Sequence, residues 1–185
     1  MDRELKRQIF HLILGFVGIA ILYLLGRNWL MAGTFFMLLG GLLIINRLVL
    51  GWQNRLVRLF LNTFERKEVL FPGWGVSAFA VGVLIIVASL ESVPEIAAGL
   101  FVLGVGDSFS TIIGRNGRIR LPYNKRKTAE GMVAFFITSL PAYYFVGPAI
   151  VPVALAAAII ESLKIPIDDN LTIPVVCTLV FLLIA

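Results

Sequence analysis

Stretches of apolar residues long enough to cross a bilayer recur along this chain, with only short polar connections between them. A helix needs about 20 apolar residues to span the hydrocarbon, and about 17 suffice. Seven stretches approach that length: Ile9–Gly26, Leu30–Leu50, Leu70–Leu90, Ile96–Gly114, Gly131–Val146, Pro148–Ile165 and Leu171–Ala185. The fifth and seventh are short, so six crossings with one half-inserted segment is the alternative count. With 185 residues, 59% of them hydrophobic and only 15% charged, the sequence leaves nothing over for a soluble domain. The predicted fold is a single all-α integral membrane domain over 1–185, a polytopic transmembrane helix bundle. The first apolar stretch follows a charged start, Asp2 to Arg7, but lacks a small-residue cleavage site and leads into further spans. It therefore reads as a retained helix, not a signal peptide.

The distribution of bases orients the bundle, because Lys and Arg near span ends stay on the cytoplasmic side. Arg3, Lys6 and Arg7 precede the first span; Arg47, Arg55, Arg58, Arg66 and Lys67 lie at or between the second and third. Arg115, Arg118, Arg120, Lys125, Arg126 and Lys127 separate the fourth and fifth, and Lys164 ends the sixth. In a seven-span chain these are alternate connections on one face, and they hold every base except Arg27. The N-terminus is accordingly predicted to be cytoplasmic, in a cell membrane or endoplasmic reticulum. The opposite connections are Arg27–Trp29, Glu91–Glu95 and the turn at Gly147 and Pro148. The net charge of +5 is explained by this placement, and nucleic acid is not an expected partner. The single cysteine, Cys177, sits in an apolar stretch and reads as a small buried hydrophobe. Between the second and third spans Trp52, Leu56, Leu59, Phe60 and Phe64 recur at helical spacing with Arg55, Arg58 and Arg66 on other faces, the pattern of an interfacial amphipathic helix.

Three polar clusters then fall at the basic face. Asp107 lies inside an apolar run, Leu103 to Ser110, about two turns from the cytoplasmic end. A charge there costs on the order of 3 kcal/mol without a partner. A structural pairing with Arg would meet that cost, as would a bound metal or proton; Ser108, Ser110 and Thr111 add hydroxyls beside it. Gly104 and Gly106 permit close backbone approach or form a helix-packing face. The second cluster, Gly114 to Gly131, carries six cations with Gly and Asn turns and ends at Thr128 and Glu130, where a helix begins. Backbone N–H groups, guanidinium and ammonium groups and a helix N-terminus together suit a polyphosphate; contact with anionic headgroups is the plainer alternative. In the third cluster Glu161 is followed by Lys164 and then by Asp168, Asp169 and Asn170. These acids, near so many cations, suit a nucleoside polyphosphate carried with Mg2+, although Asp169 or Asn170 would also serve to cap the last helix. His11, the sole histidine, shares a helix face with Arg7.

Taken together, Gly106-Asp107, the loop ending Lys127-Thr128-Ala129-Glu130-Gly131, and Glu161 with Asp168-Asp169-Asn170-Leu171-Thr172-Ile173-Pro174 resemble the CTP-dependent lipid-alcohol kinases. That family includes dolichol kinase, phytol kinase and CTP-dependent diacylglycerol kinase, with the CDP-diglyceride synthetases as wider relatives. Arg7 and His11 resemble its opening Arg-Lys-x-x-His, with Gln8 in place of Lys, and Glu65 and Glu68 its acidic patch before the third span. The resemblance implies transfer of the γ-phosphoryl of CTP to a membrane lipid alcohol of dolichol, polyprenol, phytol or diacylglycerol type. On it, Asp107, Glu130, Asp168 and Asp169 are expected to hold Mg2+. Arg118, Lys125 and Lys127 are expected to clamp the triphosphate, with Gly114, Arg115, Gly117, Thr128 and Asn170 completing the nucleotide site. Glu161 or His11 would accept the hydroxyl proton. A cytidylyltransferase making a CDP-lipid would use much the same groups. A small ion-coupled transporter is the rival of another class, and a structural membrane subunit would leave the buried acid unexplained. Work as a homodimer is compatible with the sequence and not required by it.

Overall fold

The computed structural model describes residues 3–65 and 71–184. They are all-helical, with no strand among them and one isolated antiparallel pairing, Arg120 with Thr128. Four helical stretches among the described residues are long and apolar enough to cross a membrane: Arg3–Leu25, Arg27–Val49, Val93–Gly114 and Ala129–Ser162. Trp74–Ser89 and Asp169–Ile184 are shorter apolar helices. Large apolar side chains point outward, among them Leu24, Trp29, Phe36, Tyr144 and Leu183. An apolar exterior around a packed interior belongs to a protein whose solvent is lipid; this is a membrane protein.

The first two helices, α1 (Arg3–Leu25) and α2 (Arg27–Val49), are separated by Gly26 alone, whose φ of 93° is open to glycine. The connection expected at Arg27–Trp29 is thus already helix. Arg27, the one base at this end, donates from Nε to Val87 O (2.8 Å) and from Nη2 to Ala88 O (3.1 Å), satisfying carbonyls at the end of another helix. Next, α3 (Arg55–Phe64) starts at Asn54, whose side chain accepts from the N–H groups of Leu56 and Val57. Trp52 precedes this helix. Phe60 and Phe64 pack on Phe10 of α1 at 5.5 and 4.9 Å, whereas Leu56 and Leu59 stay exposed. The apolar stripe predicted from the sequence is therefore divided between a contact with α1 and the outside. Glu65 ends α3; Glu68, Arg66 and Lys67 lie outside the described residues.

Beyond them, α4 (Trp74–Ser89) leads to α5 (Val93–Phe101), which continues through a π-helical turn, Val102–Gly106, into α6 (Asp107–Gly114). Such one-turn bulges re-aim the side chains that follow them. Here the residue that follows is Asp107. Gly104 allows the turn to lie against Gly15 of α1: a Cβ on Gly104 would sit 3.2 Å from Gly15 Cα. The segments expected at 131–146 and 148–165 form α7 (Ala129–Ser139), a short α8 (Tyr143–Val146) and α9 (Ile150–Ser162). Pro141 interrupts the first, and Gly147, at φ 57°, reverses the chain so that α9 returns along α7. The last helix, α10 (Asp169–Ile184), packs against α4 and α9. Phe79, Ile86, Leu100, Phe135, Ile150 and Phe181 are among the side chains that fill the interior.

Candidate functional site

The beginnings of α4, α7 and α10 and the ends of α6 and α9 meet at one end of the bundle, and the carboxylates meet there. Asp107 (α6), Glu161 (α9) and Asp169 (α10) each place a carboxylate oxygen within 4.8 Å of the other two. Asp107 and Glu161 are buried, at 5% and 2% exposure. Ser110, one turn beyond Asp107, donates to Glu161 Oε1 at 2.8 Å. Lys127, from the loop between α6 and α7, ion-pairs with Glu161 and reaches Asp169 Oδ2 at 2.9 Å. Burial alone would lower the pKa of this ammonium. The facing carboxylates of Glu161, Asp169 and Asp107 outweigh that and hold it above the ordinary lysine value, so Lys127 is charged.

Glu161, Asp169 and Lys127 of this group line a cavity of about 740 Å³, while Asp107 stands beside them without lining it. Arg115, Arg120, Arg126, Lys127 and Lys164 line it with positive charge, and Ser110, Thr111 and Thr128 with hydroxyls. The loop that supplies most of the cations is fixed at several points. Asn124, itself buried, donates from Nδ2 to Ser162 O (3.0 Å) and Leu163 O (3.2 Å), the last carbonyls of α9. Thr128 Oγ1 accepts from Gly131 N–H at 3.2 Å, capping α7, and donates to Gly114 O at 3.1 Å. Gly131 and Gly114 cross in close contact: a Cβ on Gly131 would lie 3.0 Å from Gly114 Cα.

The residues singled out in the sequence divide between the cluster, the cavity and the supporting shell. Asp107, Asp169 and Glu161 come together with Lys127, and Gly114, Arg115 and Thr128 line the cavity. Glu130 turns the other way: its carboxylate accepts from the N–H groups of Arg118 (2.7 Å) and Ile119 (3.2 Å), so it shapes the loop. Asp168 also lines the cavity, and its carboxylate receives Trp74 Nε1 at 3.1 Å and the backbone N–H of Asn170 at 3.0 Å. It is thus Asp168 that caps α10. Arg118 and Lys125 are exposed and do not line the cavity, while Gly117 sits against Thr128 and Glu130. Asn170 is buried beside α4, its Nδ2 donating to Asp168 Oδ1 at 2.9 Å. His11 stands on α1 with its ring 5.0 Å from that of Phe79.

Residues that carry no clear signal in the sequence support these. Gln8 is fully buried, its backbone carbonyl accepting from Ser108 Oγ at 3.2 Å and its Nε2 donating to Glu4 at 3.0 Å. The oxygens of two buried amides, Gln8 Oε1 and Asn170 Oδ1, have no donor among the described residues. Each amide's nitrogen faces a carboxylate, which fixes which way the group points. Asn124 carries only the general signal of a turn-forming residue between Pro122 and a basic run, and Trp74 carries none.

No protein-family profile and no solved structure matches the chain. Uncharacterized protein MJ1137 of Methanocaldococcus jannaschii is 37% identical over 175 residues, covering 93% of this chain and 89% of that protein. Probable phytol kinase 3, chloroplastic, of Glycine max is 28% identical over 202 residues, and farnesol kinase, chloroplastic, of Arabidopsis thaliana 29% over 203. These alignments cover 97% and 93% of this chain but 62% of each plant protein, so the chain spans less than two thirds of their length.

Proposed function

The chain belongs to one family with uncharacterized protein MJ1137 of Methanocaldococcus jannaschii, and we propose that it is a magnesium-dependent kinase that phosphorylates a membrane lipid alcohol with CTP. The observation that carries this reading is the convergence of Asp107, Glu161 and Asp169, the last two lining a cavity that Arg115, Arg120, Arg126, Lys127 and Lys164 also line. Carboxylates beside cations in one recess suit a polyphosphate that arrives with a divalent ion. The distant relatives named as phytol and farnesol kinases support a prenyl-type alcohol as acceptor. The choice of CTP rests on the family resemblance of the Gly-Asp, Lys-Thr-x-Glu-Gly and Asp-Asn blocks.

The donor set fits magnesium: three hard carboxylates, two of them buried, with open volume beside them for phosphate oxygens and water. When bound, the ion would neutralise charge on the transferring phosphoryl group. Since Mg2+ is usually held by one or two carboxylates plus phosphate, Asp107 and Asp169 would serve as ligands. Glu161, with the longer side chain, then remains to take the proton of the attacking hydroxyl on a carboxylate oxygen. Arg115, Arg120, Arg126 and Lys127 would hold the triphosphate by charge-assisted hydrogen bonds. The lipid chain would lie against the apolar exterior with its hydroxyl at the depth of Asp107, and the whole site would face the cytoplasm.

The test is label transfer by purified protein in detergent with magnesium, using γ- or α-labelled CTP and phytol, farnesol, polyprenol, diacylglycerol or phosphatidic acid. Label from the γ position in a lipid phosphate is the expected result, and the acceptor that carries it names the substrate. Label from the α position alone would make the protein a cytidylyltransferase and overturn the kinase reading.

A further inference from the structure

The cation nearest the carboxylate cluster belongs to the protein itself. Lys127 Nζ ion-pairs with Glu161 and lies 2.9 Å from Asp169 Oδ2, within the group whose oxygens stand within 4.8 Å of one another. Two of the three carboxylates are buried, and without a positive charge among them the cluster would be costly to form. A divalent ion on the same oxygens would be crowded against the ammonium, a like-charge contact at close range. Lysine suits an exchange, because its charge is a single point on a flexible stem. The backbone that carries it is fixed on both sides, by Asn124 on α9 and by Thr128 at the start of α7, so the side chain is the part free to move. The cavity into which it would swing is where the phosphates are proposed to lie.

We propose that Lys127 is the resident counter-cation of the Asp107, Glu161 and Asp169 cluster and vacates it for a divalent ion when nucleotide phosphates are present to receive the ammonium. Metal and nucleotide then bind as one coupled event, and Lys127 is a positioning residue that links them. The inference rests on the kinase reading for the identity of the phosphate ligand, but its test requires no turnover.

Binding of Mn2+ to the purified wild-type protein is measured alone and with a non-hydrolysable β,γ-methylene analogue of CTP, alongside the metal-induced shift in Tm. Wild type is expected to bind Mn2+ weakly alone and at least 10-fold more tightly with the analogue. Lys127→Met is expected to bind Mn2+ alone at least 10-fold more tightly than wild type, to lose the enhancement by analogue, and to show the larger metal-induced rise in Tm. Lys127→Gln, which keeps a polar side chain, should behave alike and covers poor folding of the first variant. Asp107→Asn placed on Lys127→Met should abolish the gain, locating the metal at the cluster. Equal Mn2+ affinity of wild type with and without analogue, or unchanged metal-only affinity in both Lys127 variants, would overturn the inference. Those results can coexist with γ-label transfer, in which case the kinase reading stands alone. Gain of metal affinity in the Lys127 variants without any label transfer by wild type would instead uphold the exchange of cations and overturn the kinase reading.

Discussion

At the residue scale, two positions bear the most direct consequences. Asp107 is a buried carboxylate on the re-aimed turn after a π-bulge, in reach of two others. Asp107→Asn keeps its shape and removes its charge, so turnover is expected to fall about 100-fold or more with the protein still folded. Steady-state kinetics together with size-exclusion behaviour in detergent check this, and unchanged activity would remove Asp107 from the metal site. Gly82 illustrates a different constraint. A Cβ there would lie 2.2 Å from the backbone oxygen of Asn170 and 2.8 Å from Pro174 Cγ, so neither neighbour yields cheaply. Gly82→Ala is expected to destabilise by about 1–3 kcal/mol or more. Gly75, in the same helix, has nothing within 4 Å of such a Cβ, and Gly75→Ala should melt like wild type or slightly above it. Equal Tm for the two variants would mean that α4 and α10 are less closely packed than described.

At the scale of elements, the loop between α6 and α7 brings positive charge to the carboxylates, and Asn124 ties it to α9. Its two hydrogen bonds to Ser162 and Leu163 carbonyls are made in a buried setting, where losing them costs about 1–3 kcal/mol. Asn124→Ala should therefore release the loop locally: KM for the nucleotide is expected to rise about 10-fold with little change in the Tm of the bundle. Tyr123→Phe removes only the bond to Ser162 Oγ from an exposed side chain and should leave KM close to wild type. A KM for Asn124→Ala no higher than that of Tyr123→Phe would show that the loop does not need this anchor. The same loop explains what could and could not be read in the sequence. Its density of Lys and Arg singles the loop out without any structure. Which of those cations face inward depends on the turn that brings Arg120 back to Thr128, and no periodicity announces it. Hence Arg115, Arg120 and Arg126 line the cavity, while Arg118 and Lys125, equally basic in sequence, stay outside it. The acids follow the same logic. Asp107 stands out because a charge in an apolar run demands a reason, but whether Glu130 or Glu161 joins it is decided by the rotation of α7 and α9.

At the scale of the whole molecule, the long apolar helices Arg3–Leu25, Arg27–Val49 and Val93–Gly114 are legible because hydrocarbon thickness sets the length expected of them, whereas the stretches read at 131–146 and 148–165 are cut shorter at Pro141 and Gly147. The side on which the site lies was inferred from charge, and the fold gives that inference a sharp test. Every base among the described residues except Arg27 is carried on connections or helix ends at the site's end of the bundle, while at the opposite end Glu91 lies in the turn between α4 and α5 and Glu95 in the first turn of α5. Arg27 is itself engaged by the carbonyls that end α4, so it is a cap rather than a counterexample. The only cysteine, Cys177, is buried in α10, so a membrane-impermeant maleimide should find no target in wild type. Introduced thiols then report orientation one at a time: Asn116→Cys in the exposed basic loop and Glu91→Cys in the exposed opposite turn. In intact cells Glu91→Cys should react and Asn116→Cys should not, and permeabilisation should expose the second. The reverse pattern would put the cavity outside the cytoplasm, away from the cell's CTP, and would count against the proposed kinase activity as strongly as a failed label transfer.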